Sequence, residues 1–342
     1  MHVNVAILGL DRLGTSFGLA LKTYEKQPKA EHSFTIYGSD PQSQAMKAAK
    51  QVGAVDDFHR QLLKVTANAD LILMNVPFGA LEEMYTRLGP EIKPGAVILD
   101  TSLLKGPAIE WAGRHLPSNS QGEPLAYMVG ITPVVNVNGL YHGGNAPEDA
   151  RADLFEKAEF MVAPAADCPS EAIALAEDVI RLMGGTVRFM DPVEHDGLIA
   201  ATEQLPALLG VAQFFMLQNA DAWMEFRRMI NPTMALAAQT MRFQKAEDMQ
   251  ALFTLNRDNV VRHLEGLIGL LDQLRDALVA EEPDELEAFL VAAHKNWEQW
   301  DIKRHSGNWE DHKDPELLPG PFGSVSGFLS LTRRNNKDDD EE

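Results

Sequence analysis

The sequence predicts an α/β protein in two parts, a doubly wound, mostly parallel sheet over residues 1–190 and an all-helical domain over 191–305. Three observations carry this. Short apolar runs alternate with helical stretches as far as Met190. Strand signals then stop and long runs with helical periodicity take over. The first strand ends in a glycine turn that opens directly into a helix.

Val3, Val5, Ala6, Ile7 and Leu8 form a buried strand. Gly9, Leu10, Asp11, Arg12, Leu13 and Gly14 make the turn, and Phe17, Leu19, Ala20 and Leu21 begin the helix. Strand, glycine turn and helix in that order are the first unit of a Rossmann-type, dinucleotide-binding domain. The turn aims backbone N–H groups and the positive end of a helix at a pyrophosphate. The fingerprint is G-x-G-x-x-G, and here Asp11 stands at its second glycine. A carboxylate there adds bulk and negative charge beside an anion, which Arg12 offsets if it turns inward. A cofactor is expected on Gly9–Gly14; the alternative is the same fold with weak or lost binding.

The next strand, residues 33–37, ends at Gly38-Ser39-Asp40. An acid at this place hydrogen-bonds the adenosine ribose and repels a 2′-phosphate, so NAD is favoured over NADP. Asp40-Pro41 also suits the start of a helix over 42–52. The apolar run 69–77 is a buried strand whose C-terminal end, Val76 and Pro77, lies where parallel sheets hold ligands. Strands over 96–100, 127–133, 160–163 and 186–190 alternate with helices over 79–88, 106–115 and 170–183.

Beyond Asp191 the helical runs are 195–224, 231–242, 246–280 and 283–304. Leu264, Leu267, Ile268, Leu271, Leu274 and Leu278 make an apolar stripe wider than one short helix needs. It predicts a domain that forms a homodimer, with an internal core as the alternative. Residues 306–342 read as a Gly/Pro-rich and then acidic tail.

Fifty acids against thirty bases give a formal net charge of −20. Such a surface repels nucleic acid and anionic membrane. Cys168 is the one cysteine, so neither an intrachain disulfide nor a cysteine metal site is available, and no histidine spacing suggests a metal. No signal peptide and no apolar run long enough to span a bilayer is apparent, and the cytoplasm is the expected location.

Several short motifs, in consistent order and spacing over residues 1 to about 305, sharpen the expectation. Asp191 to Pro206, DPVEHDGLIAATEQLP, is similar to the domain-joining segment of the prephenate/arogenate dehydrogenase family, which carries an HD pair, an AA pair and S-H-L-P. Asp100-Thr101-Ser102-Leu103-Leu104-Lys105 resembles its D-x-x-S-x-K loop, and Gly130-Ile131-Thr132-Pro133 falls where it has G-H-P. Thr240-Met241-Arg242-Phe243 and Asn256-Arg257-Asp258-Asn259 resemble its T-R-[IL]-A and N-[KR]-x-N stretches. The resemblance implies oxidative decarboxylation of prephenate, arogenate or a related carboxylated small molecule, with hydride passing to a nicotinamide. It also implies roles. The histidine of G-H-P takes up the hydroxyl proton, the loop serine assists, and the S-H-L-P histidine and the T-R-[IL]-A arginine hold substrate.

Carried over residue by residue, the match is partial. Thr132 replaces the proton-accepting histidine, and threonine is no base near neutral pH. Leu103 stands at the serine position, with Ser102 one residue earlier. Gln204 replaces the second histidine, while Arg242 and Lys105 are kept. The candidate catalytic residues are therefore Ser102, Thr132, Gln204 and Arg242. His142 reads as a solvated loop residue and His195 as structural. Two functions compete: an NAD-dependent dehydrogenase with a changed active site, and a catalytically impaired nucleotide-binding or regulatory homodimer. A β-hydroxyacid dehydrogenase is rejected, because no lysine lies between Asp196 and Trp223.

Overall fold

The computed structural model describes residues 1–141, 144–280, 283–307 and 309. His142 and nearly all of the expected tail lie outside the described residues. Eight strands form one sheet: β1 (His2–Leu8), β2 (Ser33–Ser39), β3 (Asp57–Phe58), β4 (Leu71–Met74), β5 (Val97–Asp100), β6 (Tyr127–Val134), β7 (Glu159–Pro164) and β8 (Thr186–Phe189). Their order is β3-β2-β1-β4-β5-β6-β7-β8, and only β6–β7 is antiparallel. The mostly parallel, doubly wound sheet is thus present, with the two-residue β3 added at one edge. The chain leaves β1 toward β2, then returns to the other side of β1 at β4. That reversal opens a crevice at the C-terminal ends of β1 and β4.

Burial on both faces explains why these strands read as unbroken apolar runs. Val3, Val5 and Ile7 of β1 point to one core with Leu71, Leu73, Phe34 and Ile36. Ala6 and Leu8 point to the other with Ile72, Met74, Ile98, Tyr85 and Trp111. Successive side chains of a strand alternate between faces, so one run feeds both cores.

The helices of the sheet region are α1 (Arg12–Glu25), α2 (Ser43–Gln51), α3 (Leu62–Thr66), α4 (Leu81–Leu88), α5 (Lys105–His115), α6 (Val137–Leu140) and α7 (Ser170–Leu182). After the sheet come α8 (Pro192–Ile199), a π turn (Ala200–Gln204), α9 (Leu205–Gln218), α10 (Trp223–Met229), α11 (Pro232–Ala237), α12 (Thr240–Phe243), α13 (Ala246–Leu255), α14 (Arg257–Val279) and α15 (Pro283–Ser306). The run 246–280 breaks at Asn256 rather than continuing as one helix. The helix expected from His195 begins earlier, at Pro192, because Asp191 caps it through the Val193 and Glu194 N–H groups.

The first compact unit is Met1–Arg257 and the second starts at Asp258. The first therefore runs well past Met190, where the sequence pattern changes. The reason is that α8 packs on α5 and β7, burying His195, Asp196, Ile199 and Ala200. One expectation needs correcting. Pro192–Gln218 is continuous over 27 residues and, by length and composition alone, is apolar enough to cross a membrane. From Gly197 to Gln218 the sequence carries one charged residue, Glu203, and the stretch becomes a single apolar length because α8, the π turn and α9 run on without a break.

Candidate active site

The glycine turn leaves β1 with Gly9 at φ +95, in the left-handed region. A Cβ on Gly9 would lie 1.8 Å from the Asn75 carbonyl oxygen, so only glycine fits there. A Cβ on Gly14 would meet the Gly9 carbonyl oxygen at 2.0 Å. These contacts hold the turn against the end of β4. Leu10 is fully buried, Leu13 packs on the core, Val76 is half-buried beside β4, and Pro77 is exposed.

Asp11 is the N-cap of α1. Its carboxylate accepts from Gly14 N–H at 3.0 Å and from the Asn75 side-chain amide at 2.8 Å, and Leu13 N–H adds a further bond. Arg12 N–H donates to the Asn145 carbonyl at 3.0 Å. The Arg12 side chain runs toward α6, where its Nη2 lies against Gly139. Burial pushes the Asp11 carboxyl above its ordinary value, against the pull of the Gly14 N–H and the Asn75 amide. The first-turn N–H groups that cradle a diphosphate in this fold are therefore engaged by the chain's own oxygens.

Asp40 sits at the end of β2, as expected. Its Oδ2 accepts from Leu10 N–H at 2.9 Å and its Oδ1 from Gln42 N–H at 2.7 Å. The helix that follows is capped not by Asp40 but two residues later, at Gln42, without a side-chain bond. The cradle fits a dinucleotide in shape: a positive-φ glycine, a helix N-terminus at the crevice, and an acid, Asp40, just past the end of β2. A diphosphate bound there would compete with the Asp11 carboxylate and the Asn145 carbonyl for the first-turn N–H groups.

A second cluster lies at the ends of β5 and β6. Asn75 joins it to the turn, because Asn75 Oδ1 accepts from Thr101 Oγ1 at 3.0 Å while its amide holds Gly9 O and Asp11. Asp100 is fully buried and accepts from Tyr85 Oη at 2.6 Å and Ser102 N–H at 2.7 Å. Lys105 is fully buried too, and its Nζ donates to the carbonyls of Asp100 (3.1 Å), Ser102 (2.5 Å) and Ile131 (2.8 Å). Burial lowers the Lys105 pKa to about 8, opposed by the charges of Asp100 and Asp196. The lysine thus clamps the ends of two strands.

Asp196 reaches across from α8 to cap α5. It accepts from Lys105 N–H at 2.7 Å and Gly106 N–H at 2.9 Å. His195 beside it is 2% exposed. Its Nδ1 lies 3.1 Å from Asp196 Oδ1 and its Nε2 lies 2.8 Å from Thr132 Oγ1. A carboxylate only accepts, so these partners assign the proton to Nδ1. Nε2 then accepts from the Thr132 hydroxyl.

The sequence-derived candidates divide. Thr132 is in this cluster and half-buried. Ser102 is buried in it, with its hydroxyl donating to the Leu104 carbonyl at 3.2 Å. Gln204 is buried and its amide group is engaged, donating to Leu252 O at 2.8 Å and accepting from Asn256 Nδ2 at 2.7 Å. Arg242 is exposed on α12, its guanidinium 5.5 Å over the Phe243 ring, and no described hydrogen bond joins it to the cluster. Sequence reasoning missed Asn75, Asn145, Asp196 and the His195–Thr132 contact. For Asn75 a signal existed, a polar side chain at the C-terminal end of a wholly apolar strand. For the others the partners are far apart in sequence.

A parallel sheet with a glycine-turn crevice and a polar cluster at its carboxyl ends defines a Rossmann-type dinucleotide-binding protein with helices appended. Residues 24–189 match the family model described as prephenate dehydrogenase, nucleotide-binding domain. A cyclohexadienyl dehydrogenase of Zymomonas mobilis is 24% identical over 289 residues, 83% of this chain and 91% of that protein. These matches support placing the chain with the prephenate/arogenate dehydrogenases, the match to the family model being to their nucleotide-binding domain. Two solved structures share the fold. Prephenate dehydrogenase from Aquifex aeolicus, in complex with hydroxyphenyl propionate and NAD+, has a TM-score of 0.65 at 20% identity, covering 90% of this chain and 98% of that one. Synechocystis arogenate dehydrogenase has a TM-score of 0.62 at 17% identity, covering 87% and 99%.

Proposed function

We propose that this chain is an NAD-dependent dehydrogenase that oxidatively decarboxylates prephenate, arogenate or a closely related cyclohexadienyl carboxylate, in the making of tyrosine. The observation that carries this is the Asn75 bridge. One side chain ties the dinucleotide turn to the Thr101–Lys105 loop, so a ligand seated on Gly9–Gly14 extends toward Thr132. Gly9 to Gly14 would hold the diphosphate, Asp40 the ribose, and Val76 and Pro77 the wall beside it. Bound there, the nicotinamide would supply the hydride acceptor. Asp40 favours NAD over NADP, because a carboxylate repels a 2′-phosphate. The buried Lys105 and Asp100 fix the loop that carries Ser102, and the half-buried Thr132 hydroxyl meets the substrate. Arg242, exposed on its short helix, offers a two-point grip on a substrate carboxylate. The protein is assigned to the cytoplasm and to a homodimer.

A second reading, a nucleotide-binding protein without turnover, is favoured by one observation: Asp11 and Asn145 hold the N–H groups that a diphosphate needs. Calorimetry with NAD and NADP, then nicotinamide absorbance with prephenate and arogenate, separates the two. The dehydrogenase reading expects tighter NAD than NADP binding and reduction of NAD with at least one substrate. NAD binding without reduction supports the second reading, and no binding of either nucleotide removes both. An Arg242→Ala variant is expected to raise KM about tenfold or more with a smaller change in kcat, as loss of a charged hydrogen-bonded grip implies.

A further inference from the structure

We propose that Thr132 and the His195–Asp196 pair behind it together form the proton acceptor of this site, with Thr132 Oγ1 touching the substrate hydroxyl and His195 acting through it. The proposal rests on the dehydrogenase reading above and names what takes the place of the family's histidine. Thr132 stands at the G-H-P position, and alone it cannot accept a proton at neutral pH. The structure puts an imidazole directly behind it, with Nε2 at 2.8 Å from Oγ1. His195 is 2% exposed, so it cannot meet a substrate itself, whereas Thr132 is half-buried and can.

The orientation of the ring is fixed on its other side. Asp196 Oδ1 holds Nδ1 and is itself held by Lys105 N–H, with Asp196 Oδ2 on Gly106 N–H. A carboxylate that also caps α5 cannot swing away from the imidazole without uncapping a helix. This constellation of hydroxyl, imidazole and carboxylate is the arrangement by which a hydroxyl group passes its proton to a base. Here the hydroxyl relays a proton rather than attacking a carbon.

The step balances as follows. The substrate C–H bond breaks as hydride passes to the nicotinamide, which is reduced while the carbinol carbon is oxidised. The substrate O–H proton moves to Thr132 Oγ1 as the Thr132 proton moves to His195 Nε2. Loss of carbon dioxide returns an electron pair to the ring, and the ring oxygen takes a proton back from Thr132 as His195 gives up its own. The charged groups around the imidazole are Asp196 on α8, Lys105 on α5 and Asp100 on β5. Asp196 stabilises the imidazolium, and Lys105 is held on the Ile131 carbonyl one residue before Thr132.

Two measurements test this. In the free protein, imidazole nitrogen NMR should show His195 with its proton on Nδ1, and Thr132→Val should shift the Nε2 resonance. In turnover with NAD and the better of prephenate and arogenate, Thr132→Val should lower kcat about 100-fold or more with KM within about twofold. Thr132→Ser, which restores the hydroxyl, should recover most of that loss. A role limited to holding β6 against α8 would change the melting temperature and leave no such split between kcat and KM. Wild-type kcat in Thr132→Val, or a proton on Nε2 in the free wild-type protein, overturns the relay while the dehydrogenase stands. Should Thr132→Val not fold, the wild-type nitrogen spectrum and the His195→Gln kinetics decide, with the same 100-fold loss expected. No reduction by the wild-type protein with either substrate removes the proposed reaction, and the relay with it.

Discussion

The carboxylate of Asp11 accepts from Gly14 N–H and the Asn75 amide, so the first turn of α1 carries its own counter-charge. A diphosphate arriving there must displace a bonded carboxylate and tolerate its negative charge. Asp11→Gly is therefore expected to tighten NAD binding by about tenfold, which corresponds to about 1.4 kcal/mol. The same change removes the side-chain N-cap and should cost roughly a few tenths of a kcal/mol of stability, because glycine is itself an acceptable cap. Calorimetry and a denaturation curve on the one variant read both effects, which have opposite signs. Burial raises the pKa of this carboxyl, so acidification neutralises it in the folded protein before it would in the unfolded chain. NAD affinity should accordingly rise as pH falls through that range, and the rise should be missing in Asp11→Gly.

At the scale of elements, Lys105 holds β5, β6 and the start of α5 together through three carbonyls. Its charge is kept in the interior by Asp100 and Asp196 at a cost. The folded pKa of about 8 lies below the ordinary 10.5, so between those values the unfolded chain binds more protons than the folded one. Stability from this group therefore rises with pH across about 8 to 10.5. Lys105→Met removes that rise and leaves three buried carbonyls without their donor. Urea midpoints at the two ends of the window should show a smaller difference in the variant, and a lower stability at neutral pH by about 3 kcal/mol. The thiol of Cys168 works in the opposite sense for reactivity. Burial and Asp167 push it up to about 11, and it should resist alkylation at neutral pH until the chain unfolds.

For the whole molecule, the second unit presents a large apolar surface. On α14, Ile268, Leu271 and Leu278 are exposed, and on α15 so are Leu290, Val291 and Ile302. Apolar side chains left exposed along two helices are what the homodimer expectation would bury. The homodimer expectation predicts a sedimenting mass twice the 37.8 kDa of one chain. Ile268→Asp with Leu271→Asp should bring it to the single-chain value, with the circular dichroism of the first unit retained. A wild-type protein that sediments as one chain at all concentrations would leave the stripe unexplained.

The sequence by itself determined the sheet, because apolar runs buried on two faces have no other use, and it placed the glycine turn, because only glycine tolerates backbone at 1.8 Å. It also placed Asp40, since that residue follows directly from the end of β2. What it could not supply were partners. Asp11 reads as an obstacle in sequence and is a helix cap in space; its capping bond to Gly14 N–H is local, whereas its bond to the Asn75 amide spans 64 residues. His195 reads as structural, yet it meets Thr132 across 63 residues, and Asp196 caps a helix 91 residues before it. Local pattern dictates which residues become strand or helix. Only the packing of α8 on α5 and β7 decides which of its side chains meet Thr132 and the start of α5, and the chemistry of the site depends on that packing.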